Sequence, residues 1–155
     1  MELILLRHGK AEGFNPDGDA SRALVEKGFR QSRKAGSLLL KLDRRPDVVL
    51  SSPRVRARQT AETFCEAAHM PGPVMQSWLD CGMDPETALS ELAAFADFER
   101  VMIVGHEPDF SGLVEWVLGC SGSWVEVKKA ALVGLEINPP ASHSRLLYLV
   151  PVKMI

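Results

Sequence analysis

"LILLRHGKAE", Leu3 to Glu12, decides how the rest of this chain is read. The short apolar run Leu3–Leu6 reads as a strand buried on both faces, as in parallel sheets. It does not close on ordinary turn residues. Its tip presents a cation, an imidazole and a flexible backbone: Arg7, His8 and Gly9. The same pattern returns at "RVMIVGHEPDF", Arg100 to Phe110, where an apolar run again ends in glycine and histidine. A further strand is expected at "DVVL", Asp47 to Leu50, followed by Ser51 and Ser52.

Between these runs the period changes from strand to helix. A helical pattern runs from about Leu24 to Leu42, with Val25, Phe29, Ser32, Gly36, Leu39 and Leu40 near one face. "SSPRVRARQTAETFCEAA" signals a second helix, with Ser52 as the expected N-cap and Pro53 at the first helical position. Its packing stripe is Ala57, Thr60, Ala61, Phe64 and Cys65. "MPGPVMQSW" reads as a turn with a short strand. Asp84-Pro85 opens another helix, and Phe110, Leu113, Val114, Val117 and Leu118 carry a last one, closed by Gly119. The tail from Ala131 reads as two strands joined by a Pro/Ser turn. Strands alternating with helices predict an α/β fold: one three-layer domain over residues 1–155, a mostly parallel sheet with helices on both faces. The final pair of strands is expected to bring one antiparallel strand to an edge.

Composition narrows the function classes. With 46% hydrophobic and 25% charged residues, the 155-residue chain has the make-up of a soluble globular protein. Its net charge is −2, and no lysine or arginine cluster in the sequence reads as a nucleic-acid surface. No apolar stretch approaches a membrane span. Cys65, Cys81 and Cys120 are odd in number and lack metal-ligand spacing. Together with a start that carries no export signal, this leads to the expectation of a cytoplasmic protein with free thiols.

Ligands of open α/β sheets sit outside the carboxyl ends of the strands. The residues following each apolar run should therefore share one rim: Arg7, His8 and Gly9; Ser51, Ser52 and the arginines of the second helix; Gly105, His106 and Glu107. Arg54 and Arg58 are four apart, with Glu62 one turn on, and so are expected to form a solvated row. Arg56 shares its row with Thr60 and Phe64 and is expected to point inward. Two guanidiniums at a helix N-terminus suit a tetrahedral dianion such as phosphate. Two histidines beside it allow nucleophilic attack by one and charge stabilisation by the other. Nothing in this set calls for a metal or another cofactor. His8 and His106 are not joined by a carboxylate at ligand spacing.

"RHG" after the first strand, "SSPRVRARQTA" after the second and "VGHEP" after a later one resemble the histidine phosphatase superfamily, with its phosphoglycerate-mutase-like fold. The short chain, together with "SRALVEKG" and "LDCGMDPE", is similar to the SixA-like phosphohistidine phosphatase branch. The resemblance spans essentially the whole chain. It implies that His8 is the nucleophile that becomes phosphorylated, and that Arg7, Arg56 and His106 complete the catalytic set. It also places Arg22 near the phosphate. Gly9 is expected to let the backbone approach the substrate.

The chain departs from relatives that carry an acid to protonate a leaving oxygen. It lacks the mid-chain insertion of the mutases. Directly after the second histidine stands Glu107, a candidate acid that would equally serve the start of a helix. A site rich in phosphate binders and poor in acids suits phosphoramidates, because imidazole leaves readily from phosphorus whereas an alkoxide needs a proton. The expected reaction is therefore dephosphorylation of phosphohistidine on a phosphotransfer or signalling protein. A small phosphorylated metabolite is the alternative substrate, and a phosphate-binding module with little catalysis is the alternative class.

Overall fold

A computed structural model describes residues 1–155. Six strands, β1 (Glu2–Arg7), β2 (Val48–Ser51), β3 (Val74–Met75), β4 (Arg100–Gly105), β5 (Leu132–Asn138) and β6 (Ala141–Val150), form one sheet in the order β3-β2-β4-β1-β5-β6. Four helices connect or flank them: α1 (Glu26–Lys41), α2 (Val55–Ala67), α3 (Pro85–Leu92) and α4 (Asp109–Val117). β3, β2, β4 and β1 run parallel. β5 pairs antiparallel with β1, and β6 antiparallel with β5. The one strand opposed to β1 thus lies one place in from the edge, because the hairpin adds β6 outside it.

Strand alternation divides the core in two. Leu3 and Leu5 face α3 and α4, together with Val101 and Ile103 of β4. Ile4 and Leu6 face α1 and α2, together with Met102 and Val104. Both faces of β1 are covered, and Leu3 to Leu6 are completely buried. This three-layer arrangement follows from four apolar residues in succession, whose side chains must bury both up and down.

Local signals account for the helix ends with two exceptions. Asp84 caps α3 by accepting from the Thr87 N–H at 2.8 Å, with Pro85 at the first position. Gly119 adopts φ +69° just past α4, a conformation that favours glycine. α1 begins at Glu26 rather than Leu24, because Leu24 makes a bridge with Ala11 and thereby pins the loop after β1. α2 begins at Val55, two residues later than the Ser-Pro signal predicts. Ser52 is held by the sheet instead, its N–H donating to the Val104 carbonyl at 3.0 Å.

The registers place the site. Arg7 is level with Gly105 and Ser51 with Val104. The His8 N–H continues the ladder to the Gly105 carbonyl at 3.0 Å. His8, Ser52 and His106 therefore emerge side by side at the carboxyl rim. No helix is long and apolar enough to cross a membrane.

Candidate active site

His8 and His106 lie on neighbouring strand tips with ring centroids 5.3 Å apart. Both are buried, at 7% and 2% exposure. His8 Nδ1 lies 2.8 Å from the Gly9 carbonyl oxygen. A carbonyl only accepts, so Nδ1 carries the hydrogen and Nε2 keeps its lone pair. Burial, aided by the positive field of Arg56, Arg7 and Lys129, pushes the His8 pKa down to about 4, against the pull of the Gly9 carbonyl. His106 Nε2 sits 2.8 Å from the Ser52 hydroxyl, and its Nδ1 is buried without a protein partner. Burial, then the fields of His8, Arg56 and Arg54, push its pKa down to about 3, and Asp80 offsets only part of this. Both rings are neutral at pH 7.

Arg56 is 5% exposed, as its row with Thr60 and Phe64 predicts. Its two terminal nitrogens donate to the Asp19 carbonyl at 2.8 Å and the Asp19 carboxylate at 3.1 Å, while Nε is buried unpaired. Arg7 donates to the Val127 carbonyl at 2.8 Å, and its Nε is likewise unpaired. Buried donors without partners are costly in a finished core. Three of them here belong to Arg7, Arg56 and His106, which is what a pocket for a tetrahedral oxyanion requires.

Arg54 was not singled out by its sequence position. Because α2 starts late, Arg54 is the cap residue and not part of a helical row, so only Arg58 pairs with Glu62, at 3.7 Å. Arg54 instead bonds Asp80 and Asp19. Arg22 reaches the same group, donating to the Asp19 carboxylate and to the Glu12 carbonyl, both at 2.8 Å. Asp19 thus joins three guanidiniums that would otherwise repel one another. The Arg22 hydrogen bond, with further help from Arg56, holds the Asp19 carboxyl down at about 2 despite some desolvation. Asp19 lies in a Gly/Asp/Asn/Pro-rich loop with no periodicity to flag it; its spacing of three from Arg22 on a 3₁₀ turn (Asp19–Ser21) was the available signal.

Gly9 also packs closely against α1. A Cβ there would sit 2.8 Å from the Gly28 carbonyl oxygen, and the Gly9 N–H already donates to Thr60 Oγ1 at 3.0 Å.

The carboxylates near the rim are all engaged. Glu107 accepts from the Ser111 N–H at 3.0 Å and the Ser111 hydroxyl at 2.8 Å, fastening the first turn of α4. Asp80 would be raised by burial, but Arg54 and the Cys81 N–H outweigh that and lower it. Asp80, Cys81 and His106 offer ligand atoms within 4.8 Å of one another. Arg54 and Arg56 project positive charge onto this trio, and burial pushes the Cys81 thiol up, so it suits an anion better than a cation. Cys65, Cys81 and Cys120 are all free thiols.

A family model of the histidine phosphatase superfamily, branch 1, matches residues 3–83. That span includes Arg7, His8, Arg22, Arg54 and Arg56, and stops before His106. An uncharacterised protein of Picosynechococcus sp. is 32% identical over 146 residues, covering 88% of this chain and 85% of that protein. Among solved structures, the protein histidine phosphatase SixA complexed with tungstate superposes with a TM-score of 0.88 at 22% identity, over 99% of both chains. A protein of Agrobacterium tumefaciens assigned as a phosphohistidine phosphatase SixA gives a TM-score of 0.80 at 29% identity, over 97% of both. The chain belongs to the histidine phosphatase superfamily, has the SixA-like, phosphoglycerate-mutase-like fold, and is a phosphatase hydrolase.

Proposed function

We propose that residues 1–155 form a single catalytic domain that removes phosphate from phosphohistidine on a phosphotransfer or signalling protein, by way of a phosphohistidine intermediate on its own His8. The observation that carries this reading is the engagement of three carboxylates beside the histidines: Glu107 is fastened to the first turn of α4, and Asp19 and Asp80 are bound to arginines. A substrate whose leaving group needs no enzyme acid fits such a site.

In the first step Nε2 of His8 forms a bond to phosphorus while the substrate's P–N bond breaks. The electron pair goes to the substrate nitrogen, and the ring, protonated by solvent at its other nitrogen, departs as neutral imidazole. Arg7 and Arg56 hold the phosphoryl oxygens through the transfer. His106, with the Ser52 hydroxyl donating to Nε2, presents Nδ1–H to an equatorial oxygen. In the second step water attacks phosphorus, the P–Nε2 bond breaks with its pair returning to His8, and inorganic phosphate leaves with the proton passing to solvent. The depressed His8 pKa keeps the nucleophile unprotonated throughout the neutral range. None of these steps calls on a metal.

Phosphate release from a phosphohistidine peptide, a phosphoserine peptide and p-nitrophenyl phosphate, in excess EDTA, tests the reading. Preferred turnover of the phosphohistidine peptide is expected, with Glu107→Gln changing it less than about threefold. Comparable turnover of the phosphoserine peptide, lost in Glu107→Gln, would assign Glu107 as an acid and overturn the substrate class.

A further inference from the structure

Although the chain carries net −2, its cations are not spread evenly. Three adjoining cavities form one groove along the outer side of α1. The outermost, about 680 Å³, is lined by Arg30, Arg33, Lys34 and Lys41, with Leu38 and Met154 as its apolar floor. The middle one shares Arg30 and Lys34 and adds Lys27 and Lys153. The innermost, about 380 Å³, shares Lys27 and Lys153 and adds Lys128, Lys129 and Arg7. Nine of the chain's 18 lysines and arginines line this groove, and no aspartate or glutamate of its 20 does. Its inner end is Arg7, which adjoins the nucleophile, and Lys129 projects its charge onto His8.

The cations are largely uncompensated. Arg33 pairs with Glu26 at 3.0 Å and Lys128 with Glu126 at 3.6 Å, and Lys34 donates to the Ile155 oxygen at 3.1 Å; apart from Arg33 and Lys128, none has a side-chain carboxylate within 4.0 Å. Arg30 and Lys34 are four apart on α1, and Lys27 and Arg30 three apart, spacings at which like charges destabilise a helix. The opposite face of α1 (Gly28, Ser32, Ala35, Gly36 and Leu39) is buried, so packing does not require these cations. The five-cation span of α1, from Lys27 to Lys41, is about 20 Å long, within reach of roughly six extended residues.

We infer that this groove is a docking surface for an acidic segment of the phosphorylated protein, which lies along α1 and delivers its phosphohistidine past Arg7 to His8. The inference rests on the phosphoprotein reading above for its substrate and on charge complementarity and continuity with Arg7 for its partner. Arginine and lysine along a groove that opens at the reaction centre raise the encounter rate with an acidic partner and fix its orientation. A small phosphorylated metabolite would have no use for cations as far along the helix as Lys41.

The test uses the full chain, a fluorescent peptide with a tail of glutamates, and the same peptide with a neutral tail. Fluorescence anisotropy of the unphosphorylated peptides should show tighter binding of the glutamate tail, weakening as salt rises. The triple variant Arg30→Glu, Lys34→Glu, Lys41→Glu should lose at least about tenfold of that binding and instead favour a lysine tail, a reversal that an unfolded protein would not give. With both peptides carrying phosphohistidine, kcat/KM should be tens-fold higher for the glutamate tail in the wild type, and equal in the variant for free phosphohistidine. Equal binding of the two tails, or a preference unchanged in the variant, would overturn the docking surface even if phosphohistidine is hydrolysed. Tail-dependent binding with no hydrolysis of any phosphohistidine substrate would uphold the surface and overturn the substrate reading. Tighter binding of a single-stranded oligonucleotide, or of phosphatidylserine vesicles, than of the glutamate peptide would overturn the assigned occupant.

Discussion

His8 and His106 end neighbouring parallel strands, share one rim and are both neutral, yet the chain holds them by opposite nitrogens. His8 is gripped at Nδ1 by a backbone carbonyl, which leaves Nε2 with a lone pair and nothing else to do. His106 is gripped at Nε2 by a serine hydroxyl, which leaves Nδ1 buried without a partner. The strand tip delivers an imidazole; the second contact of the ring decides which nitrogen is left facing the pocket. Under the proposed mechanism, two residues of one type at equivalent places in the sheet would serve different chemistry.

The sharpest way to break this comparison is to remove each ring in turn. His8→Ala should lower kcat by about a thousandfold or more and abolish trapping of labelled phosphate on the protein, with inorganic phosphate still bound. His106→Ala should lower kcat by about 10²–10³-fold while labelled phosphate is still trapped on His8. If His106→Ala loses the label and His8→Ala keeps it, the two roles are reversed.

Titration by NMR probes the shared part of the environment. Neither ring should protonate between pH 8 and about 5.5, with midpoints displaced from the ordinary 6.5 toward about 4 and about 3. A histidine kept neutral in the folded chain takes its proton first in the unfolded chain. Stability should therefore be full above pH 6.5 and decline as pH falls toward 4, as thermal unfolding would record. Midpoints near 6.5 would mean that solvent reaches the rings. The smallest effect belongs to Ser52→Ala, where losing the hydrogen bond to His106 should cost about fivefold in kcat, with His8 labelling intact. A loss as large as that of His8→Ala would show that Ser52 orients more than one ring.

Much of this arrangement was legible in the sequence, for physical reasons. Short unbroken apolar runs bounded by turn residues read as doubly buried strands, so Leu3–Leu6 and Val101–Val104 placed Arg7, His8 and His106 on one rim. Helical spacing placed Arg56 inward. What the sequence did not disclose depended on contacts between distant segments. Arg54 left its expected row because Ser52 stayed in the sheet and the helix began later. Asp19 sits in a loop whose course is set by the arginines it binds, not by any repeat. The basic groove escaped notice because its cations come from β1, α1, the segment before β5 and the C-terminal 3₁₀ turn (Val152–Met154), nowhere forming a run along the chain.

The backbone contact between Gly9 and Gly28 gives the groove a mechanical meaning. A Cβ on Gly28 would lie 2.2 Å from the Lys10 carbonyl oxygen, so loop and helix touch with no side chain between them. Helix α1 and the segment bearing His8 are therefore joined by direct backbone contact, without flexible side chains in between. On the inferred docking, α1 would act as a ruler: where a partner rests along its cations would fix how far that partner's phosphoryl group stands from His8.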